Sequence, residues 1–128
     1  MLLLDTDVMV DLLRGNPPAA RWIRSRDPQE TLAVVGLVVM ELQQGCRNRQ
    51  ELNQLRRDLR GVELLWPTIA DFERALDSFG EARLSHGTDL IDALIGECAV
   101  GLGLPLHTFN VRHFAGIPHL QTIQPYVR

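Results

Sequence analysis

Three acidic residues stand directly beside runs of apolar side chains, where carboxylates are rarely found. Asp5 follows Leu2–Leu4, and Glu41 follows Val38–Met40. Asp92 lies inside a segment that is apolar on nearly every side. Acidic side chains are almost never fully buried unless they are paired, because an unpaired buried carboxylate costs several kcal/mol. Each of the three positions therefore needs a partner that offsets its charge.

The choice of partner is restricted because the chain contains no lysine, and all 13 of its Lys and Arg positions are arginines. A single arginine pair or a helix cap explains most isolated buried acids. Three acids that converge are different, since two carboxylates about 4 Å apart repel each other by roughly 1–4 kcal/mol. A divalent cation would offset the burial and the repulsion together. A site built only from oxygen ligands favours Mg²⁺ or Mn²⁺ over zinc.

Three further residues are weaker candidates for the same site. Asp7 lies two residues after Asp5, where an Asx-turn or a cap of the following segment also explains it. Asp89 lies three residues before Asp92 on the same helix face, where an N-cap explains it equally well. Asn110 follows a predicted strand and is either a turn residue or a group that acts through a metal-bound water.

Other chemistries lack the residues that they need. The four histidines show no zinc-protease spacing, and we interpret them as structural or surface residues. No serine lies in a nucleophile-elbow motif. Without lysine, phosphate binding by a P-loop and Schiff-base chemistry are both excluded. The two cysteines are too few for a disulfide scaffold or a Cys-based zinc ribbon, and they fit a reducing compartment.

The candidate residues depend on elements that the apolar pattern predicts. Strands are predicted at Leu2–Leu4, Thr31–Val35, Val62–Trp66, Pro105–Phe109 and Leu120–Ile123. Helices are predicted at Ala19–Ser25, Val38–Cys46, Gln50–Arg60, from the N-cap Thr68 onward, and from position 88 or 89 to Leu102. Short apolar strands that alternate with helices indicate a parallel sheet covered on both faces. Ligands of such sheets bind at the carboxyl ends of the strands, which is where Asp5 and Asn110 fall.

Two segments carry further predictions. The helix after Thr68 is expected to turn one apolar stripe toward the core, formed by Ile69, Phe72, Leu76 and Phe79. The segment from Cys46 to Arg60 is rich in arginine, at positions 47, 49, 56, 57 and 60. It is either a solvated helix face or a surface that contacts RNA phosphates or an acidic partner.

Length and composition set the remaining limits. A chain of 128 residues with 45% hydrophobic and 23% charged residues is typical of one globular domain, which we expect to span 1–128. The net charge of −3 argues against indiscriminate binding of nucleic acid. The longest apolar run, Leu32–Met40, is about half of what a transmembrane helix needs, and we expect no signal peptide and no membrane contact. A cytoplasmic location follows from these expectations.

Four segments together resemble the motifs of a known family. They are Leu4–Val8 with Asp11–Gly15, Val38–Leu42 with Gly45, Leu90–Ile95, and Gly103–Asn110 with His113 and Phe114. In this order and spacing they resemble the motifs of PIN-domain ribonucleases, and more narrowly those of the VapC toxins of bacterial toxin–antitoxin modules. Each segment alone is weakly specific, but the resemblance covers nearly the whole chain.

The resemblance implies a single PIN domain of three α/β/α layers around a central, mostly parallel sheet of four or five strands. It implies a metal-dependent endoribonuclease in which Asp5, Glu41 and Asp92 hold Mg²⁺ or Mn²⁺. Asn110 matches a fourth catalytic position that is often Asp, so a second metal would be held weakly or not at all. Thr6 and Thr108 match small hydroxyl residues that help to order the site.

Partners are also implied by the resemblance. The substrate would be RNA, usually a tRNA or an rRNA loop, and the chain would form a homodimer. A VapB-type antitoxin would pack into an apolar groove and block the site, and we expect that groove on the helices between Val38 and Leu59.

Other hypotheses remain open at this point. A catalytically silent PIN-like module could bind RNA or protein through the arginine-rich segment, and the amide of Asn110 favours it while the three acids oppose it. A nuclease of DNA flaps is a weaker alternative, because such enzymes usually need a longer chain. The Asp5–Asp7 segment also resembles the D-x-D motif of haloacid-dehalogenase-type phosphatases, whose chemistry needs a lysine that this chain lacks.

Overall fold

Five short strands form one sheet at the centre of the computed structural model, which describes residues 1–128. They are β1 (Leu2–Leu4), β2 (Leu32–Val35), β3 (Glu63–Leu65), β4 (Leu106–His107) and β5 (Thr122–Ile123). The strand order is β3-β2-β1-β4-β5, and every neighbouring pair is parallel. The three central strands are apolar because both faces of the sheet are covered, and Leu3, Val34 and Leu106 are fully buried.

Seven helices connect the strands. They are α1 (Thr6–Leu13), α2 (Pro17–Arg24), α3 (Gly36–Gln44), α4 (Arg49–Asp58), α5 (Ile69–His86), α6 (Leu90–Leu102) and α7 (Val111–Phe114). The chain builds outward from β1 to β3 and then crosses to the other side of β1 for β4 and β5. Because parallel crossovers are right-handed, this reversal places α1–α4 on one face and α5–α7 on the other. The predicted α/β/α architecture is confirmed, with five strands that are all parallel.

The main core is a cluster of 17 buried residues that spans the sheet and the helices against it. Two predicted helix ends are confirmed by the structure. Thr68 caps α5 in a reciprocal capping box with Asp71, and Gly103 ends α6 in the left-handed conformation, with φ 68°. None of the helices is both long enough and apolar enough to span a membrane.

Several helix boundaries differ from the prediction. The segment after β1, predicted to be only a polar turn, forms helix α1. Asp5 caps this helix by accepting the backbone N–H of Thr6. The helix buries Val8 and Met9 against the core. Helix α3 begins two residues early, at Gly36. That position must be glycine because the Trp66 ring packs where a Cβ atom would lie.

The predicted core face of α5 is wrong. Three residues of its predicted stripe face solvent, since Ile69, Phe72 and Leu76 are 78%, 47% and 83% exposed, and Phe79 is only half-buried. The helix instead packs its small side chains Ala75 and Ala82 toward the interior. Helical spacing identifies an apolar stripe, but it does not say whether that stripe meets the core of the same chain. The stripe is therefore an unpartnered surface.

Candidate active site

The site forms where the strand order reverses, at the neighbouring carboxyl ends of β1 and β4. Asp5 follows β1 directly and is 5% exposed. One of its carboxylate oxygens accepts the backbone N–H of Thr6 at 2.8 Å, and the other accepts the hydroxyl of Thr108, after β4, at 2.8 Å. The strand pairing thus fixes the first carboxylate against the adjacent strand end. Crevices at such reversals are the usual ligand sites of parallel sheets.

The structure brings the four predicted site residues into one pocket of about 480 Å³. Asp5 reaches it from β1, Glu41 from α3, Asp92 from the first turn of α6, and Asn110 from the segment after β4. The other lining residues are Thr6, Asp7, Asp89, Phe109, His113 and Arg128. Five carboxylates therefore face a single pocket, although they come from three separate stretches of the chain.

Hydrogen bonds orient the walls of the pocket. The hydroxyl of Thr6 donates to Glu41 Oε1 at 2.7 Å. The amide of Asn110 donates to Asp92 Oδ2 at 3.5 Å and lies 3.0 Å from Nδ1 of His113. The Asn110 side chain therefore bridges α6 and α7 at the edge of the pocket, and its amide nitrogen, not its oxygen, faces Asp92.

The weaker candidates Asp7 and Asp89 are held differently. Asp7 accepts the backbone N–H groups of Val8 and Phe109, at 2.8 and 2.9 Å, and so ties α1 to the segment after β4. Asp89 stands at the N-cap position of α6, but its side chain makes no cap bond. It pairs with Arg83 at 2.9 Å on the surface.

The deepest carboxylates of the pocket have no arginine partner. The only ion pair made by Asp5, Glu41 or Asp92 is a 3.8 Å contact between Asp92 and His113. Burial, followed by the charge of Asp7, raises the pKa of Asp5 to about 7. Burial, followed by the charges of Glu41 and Asp89, raises the pKa of Asp92 to about 6. The pocket thus carries negative charge that the protein itself does not neutralise.

Other buried acids of the chain show the opposite arrangement. Asp71 and Glu97, between α5 and α6, are each 3% exposed. Arg74 forms ion pairs with both and also donates to the backbone carbonyl of Glu97. At Asp71 and Glu97 the fold supplies an arginine that neutralises the buried acids. The lack of an arginine partner for Asp5, Glu41 and Asp92 is therefore specific to the pocket.

The donor set of the pocket fits a hard, hydrated cation. No three His, Cys, Asp or Glu side chains come close enough together to enclose one ion directly. Mg²⁺ rarely requires such enclosure, because it keeps several waters and uses one or two carboxylates. The uncompensated oxygens of Asp5, Glu41 and Asp92, with room for water between them, match that mode of binding.

Two lining residues were missed at the sequence level. His113 lies within one of the motif segments but was interpreted as structural, and it contacts both Asp92 and Asn110. Arg128 carries no sequence signal, since it lies outside every motif segment. The other histidine near the sheet, His107, is structural. It is buried against the Leu3 carbonyl, and burial lowers its pKa.

Comparisons with known proteins point to one family. Ribonuclease VapC19 from Mycobacterium tuberculosis is 37% identical over 125 residues, which cover 94% of this chain and 98% of the relative. Ribonuclease VapC10 from the same species is 34% identical over 128 residues, covering 98% and 92%. One chain of a toxin–antitoxin complex from Klebsiella pneumoniae superposes with a TM-score of 0.75 at 26% identity, covering 100% of both chains. The model of the PIN domain family matches residues 2–120. This range contains every residue that lines the acidic pocket except Arg128. This chain therefore belongs to the PIN domain family.

Proposed function

We propose that this chain is a divalent-metal-dependent endoribonuclease and the toxin of a VapBC-type toxin–antitoxin module. The observation that carries the proposal is the pocket of five carboxylates at the carboxyl edge of the sheet, four of which form no ion pair with an arginine. The two ribonuclease relatives, which align along nearly the whole chain, support it. Hydrolysis of host RNA, in a tRNA or an rRNA loop as the family resemblance implies, places the activity in the cytoplasm.

The proposed cofactor is Mg²⁺ or Mn²⁺, held by Asp5, Glu41 and Asp92. When bound, the cation lowers the pKa of water and neutralises charge on the phosphoryl oxygens. Asn110 brings no negative charge to the fourth position and orients Asp92 through its amide nitrogen. The set therefore favours one ion over two.

The remaining chemistry belongs to side chains of the protein. Thr108 and Thr6 fix the carboxylates of Asp5 and Glu41 through hydrogen bonds of 2.8 and 2.7 Å, so the ligand oxygens are positioned before a ligand arrives. An acid of the pocket accepts the proton of the attacking water.

A groove beside the active site is the proposed antitoxin site. It has a volume of about 380 Å³ and lies between α1, α3 and α4, with apolar walls from Val10, Leu13, Leu42 and Leu55. Two of the helices are those expected to form the groove, and α1 is an addition. The groove shares Thr6 and Glu41 with the acidic pocket, so a peptide seated in it would lie against a proposed metal ligand and block RNA.

The surface of α5 is the proposed homodimer contact. Its exposed stripe of Ile69, Phe72 and Leu76 is apolar along successive turns, and large apolar patches on soluble domains mark interaction sites. Pairing two copies of the stripe across a twofold axis would cover it on both chains.

The arginine-rich segment in and beside α4 remains a candidate RNA surface. Arg47 is paired with Glu51 at 2.9 Å, whereas Arg49, Arg56, Arg57 and Arg60 are exposed without a carboxylate partner. Phosphate contacts from this helix would draw RNA toward an active site whose own charge repels it.

Cleavage of total cellular RNA tests the proposal. The purified chain, freed of any antitoxin, is incubated with Mg²⁺, Mn²⁺ or EDTA, beside Asp92→Asn. A matched control is Asp77→Asn, which removes an exposed carboxylate from α5. We expect discrete fragments that require metal, persist in the control and disappear in Asp92→Asn. Folded protein that cleaves nothing under any metal would overturn the proposal and favour a silent binding module.

A further inference from the structure

One arginine lines the acidic pocket without neutralising its deepest charges. The guanidinium of Arg128 forms an ion pair with Asp11 on α1, with Nε 2.9 Å from Oδ2. Its Nη2 also donates to the backbone carbonyl of Asp7 at 3.4 Å. It makes no ion pair with any carboxylate of the pocket, although it is one of the residues that line it. Arg128 is thus the one arginine at the mouth of an otherwise acidic pocket.

The anchoring of Arg128 leaves three of the five N–H groups of its guanidinium without a partner in the protein. An arginine has five N–H groups, and the two bonds to Asp11 and Asp7 use Nε and one hydrogen of Nη2. No group of the protein accepts a hydrogen bond from Nη1. The remaining hydrogens of Nη1 and Nη2 form a parallel pair, which is the geometry that binds two oxygens of one phosphate.

The ring of Phe109 fixes the orientation of the Arg128 guanidinium. Arg128 lies over the ring of Phe109, with 4.1 Å between the guanidinium carbon and the ring centroid. Phe109 is itself held because its backbone N–H donates to Asp7 Oδ2 at 2.9 Å. The cation is therefore placed in advance and loses little side-chain entropy when it binds an anion.

We propose that Arg128 is a substrate-binding residue that holds a phosphate group of the RNA backbone next to the bond that is cut. The inference rests on the proposed ribonuclease function and adds to it. A pocket of five carboxylates repels a polyanion, and a fixed cation at its mouth offsets that repulsion where the strand enters. Because the contact is to phosphate, it strengthens binding of all RNA sequences equally.

A purely structural function for Arg128 makes a different prediction. The same Asp11 oxygen also accepts the hydroxyl of Tyr126 at 2.8 Å, so the segment that carries Arg128 has a second attachment to α1. Tyr126→Phe weakens that attachment and leaves the arginine charge in place. It is the control that separates anchoring of the segment from binding of phosphate.

The test measures binding and cleavage as a function of salt. Binding uses a fluorescent single-stranded RNA oligonucleotide of mixed sequence, with Mg²⁺ present, in the Asp92→Asn background that does not cleave. Cleavage uses the otherwise unchanged protein. Variants are Arg128→Ala, Arg128→Lys, Tyr126→Phe and Arg24→Ala, which removes an exposed arginine near the opposite edge of the sheet.

We expect Arg128→Ala to weaken RNA binding roughly tenfold at low salt and to raise KM with little change in kcat. The slope of log K against log salt should fall by about 0.7, as for one lost contact to a single strand. Arg128→Lys should keep the slope while losing part of the affinity, since it keeps the charge without the paired N–H groups. Tyr126→Phe and Arg24→Ala should leave the salt slope unchanged.

An unchanged salt slope in Arg128→Ala, with a loss of thermal stability like that of Tyr126→Phe, would show that Arg128 only anchors the segment. That result overturns this inference while wild-type cleavage leaves the proposed function intact. Failure of the wild-type chain to cleave RNA with any metal overturns the proposed function whatever the binding data show. The two failures are therefore distinguishable in one set of measurements.

Discussion

Neutralising Asp5 should stabilise the metal-free protein and flatten the dependence of its stability on pH. Burial, and then the charge of Asp7, raises the pKa of Asp5 from 3.8 to about 7. The folded chain therefore holds this proton more tightly than the unfolded chain does, so stability falls as the pH rises from about 4 to about 7 and is level above that. The difference between the two pKa values sets an upper bound of roughly 4 kcal/mol. Local relaxation lowers this, and we expect Asp5→Asn to gain about 1–3 kcal/mol above pH 7.

The substitution should not disturb the fold. An asparagine oxygen can still accept the backbone N–H of Thr6, which caps α1. Its amide can donate to Thr108, whose hydroxyl has a second acceptor, Asp7 Oδ2, at 3.4 Å. The change therefore removes a charge and leaves each local hydrogen bond with a partner.

Urea denaturation in EDTA, at about pH 5 and about pH 8, measures the effect. Wild-type protein should lose stability between the two values, and Asp5→Asn should lose less. Asp77→Asn on the exposed face of α5 is the control and should follow wild type. Adding Mg²⁺ or Mn²⁺ should then stabilise wild type, by roughly 2.7 kcal/mol at a metal concentration 100 times Kd, and should leave Asp5→Asn unaffected. If wild type and Asp5→Asn lose equal stability with rising pH, Asp5 carries no uncompensated charge and the electrostatic argument for the metal fails.

Three further changes test other parts of the structure. Arg74→Met should lower the free energy of unfolding by roughly 3 kcal/mol in urea denaturation, because it leaves two buried carboxylates without a cation; a loss below about 0.5 kcal/mol would contradict this. Gly45→Leu should fill the groove without backbone strain, since a Cβ at Gly45 would meet only a carbonyl at 3.5 Å. Antitoxin affinity measured by calorimetry should fall at least tenfold while RNA cleavage persists, and equal affinity would place the antitoxin elsewhere. Leu76→Glu should turn a dimer into a monomer in analytical ultracentrifugation, because it puts a charge in the α5 stripe; a dimer that persists would locate the contact on another surface.

The layer architecture could be predicted from the sequence because the central strands β1 and β2 are short, fully apolar runs. Such runs require helices on both faces, whichever helices those are. The faces of the helices were harder to predict, since periodicity shows a stripe without showing what covers it. On α5 the stripe of leucine and phenylalanine faces solvent, and Ala75 and Ala82 face inward. The small residues are buried on the side of α5 that packs against α6 and α7.

The site was predictable where a carboxylate interrupts an apolar run. Asp5, Glu41 and Asp92 each do so, and the structure brings all three to one pocket. Arg128 was not predictable, because a lone arginine outside any motif has many possible positions. The pairing of β4 with β5 directs the segment after β5 toward α1. Arg128 forms its ion pair with Asp11 there.

Helix α6 shows why an acid in an apolar helix is not enough to define a site. Asp92 and Glu97 lie five residues apart on that helix, and both interrupt apolar runs. Glu97 is bound by Arg74 at 3.0 Å, whereas Asp92 faces four other carboxylates and forms no ion pair with an arginine. An arginine was within reach, because Arg83 pairs with Asp89 at the rim of the same pocket. A silent binding module gains nothing from leaving Asp5 and Asp92 uncompensated, since one neutral substitution would remove the electrostatic cost. A catalytic site does gain, because the same uncompensated oxygens are what bind a divalent cation.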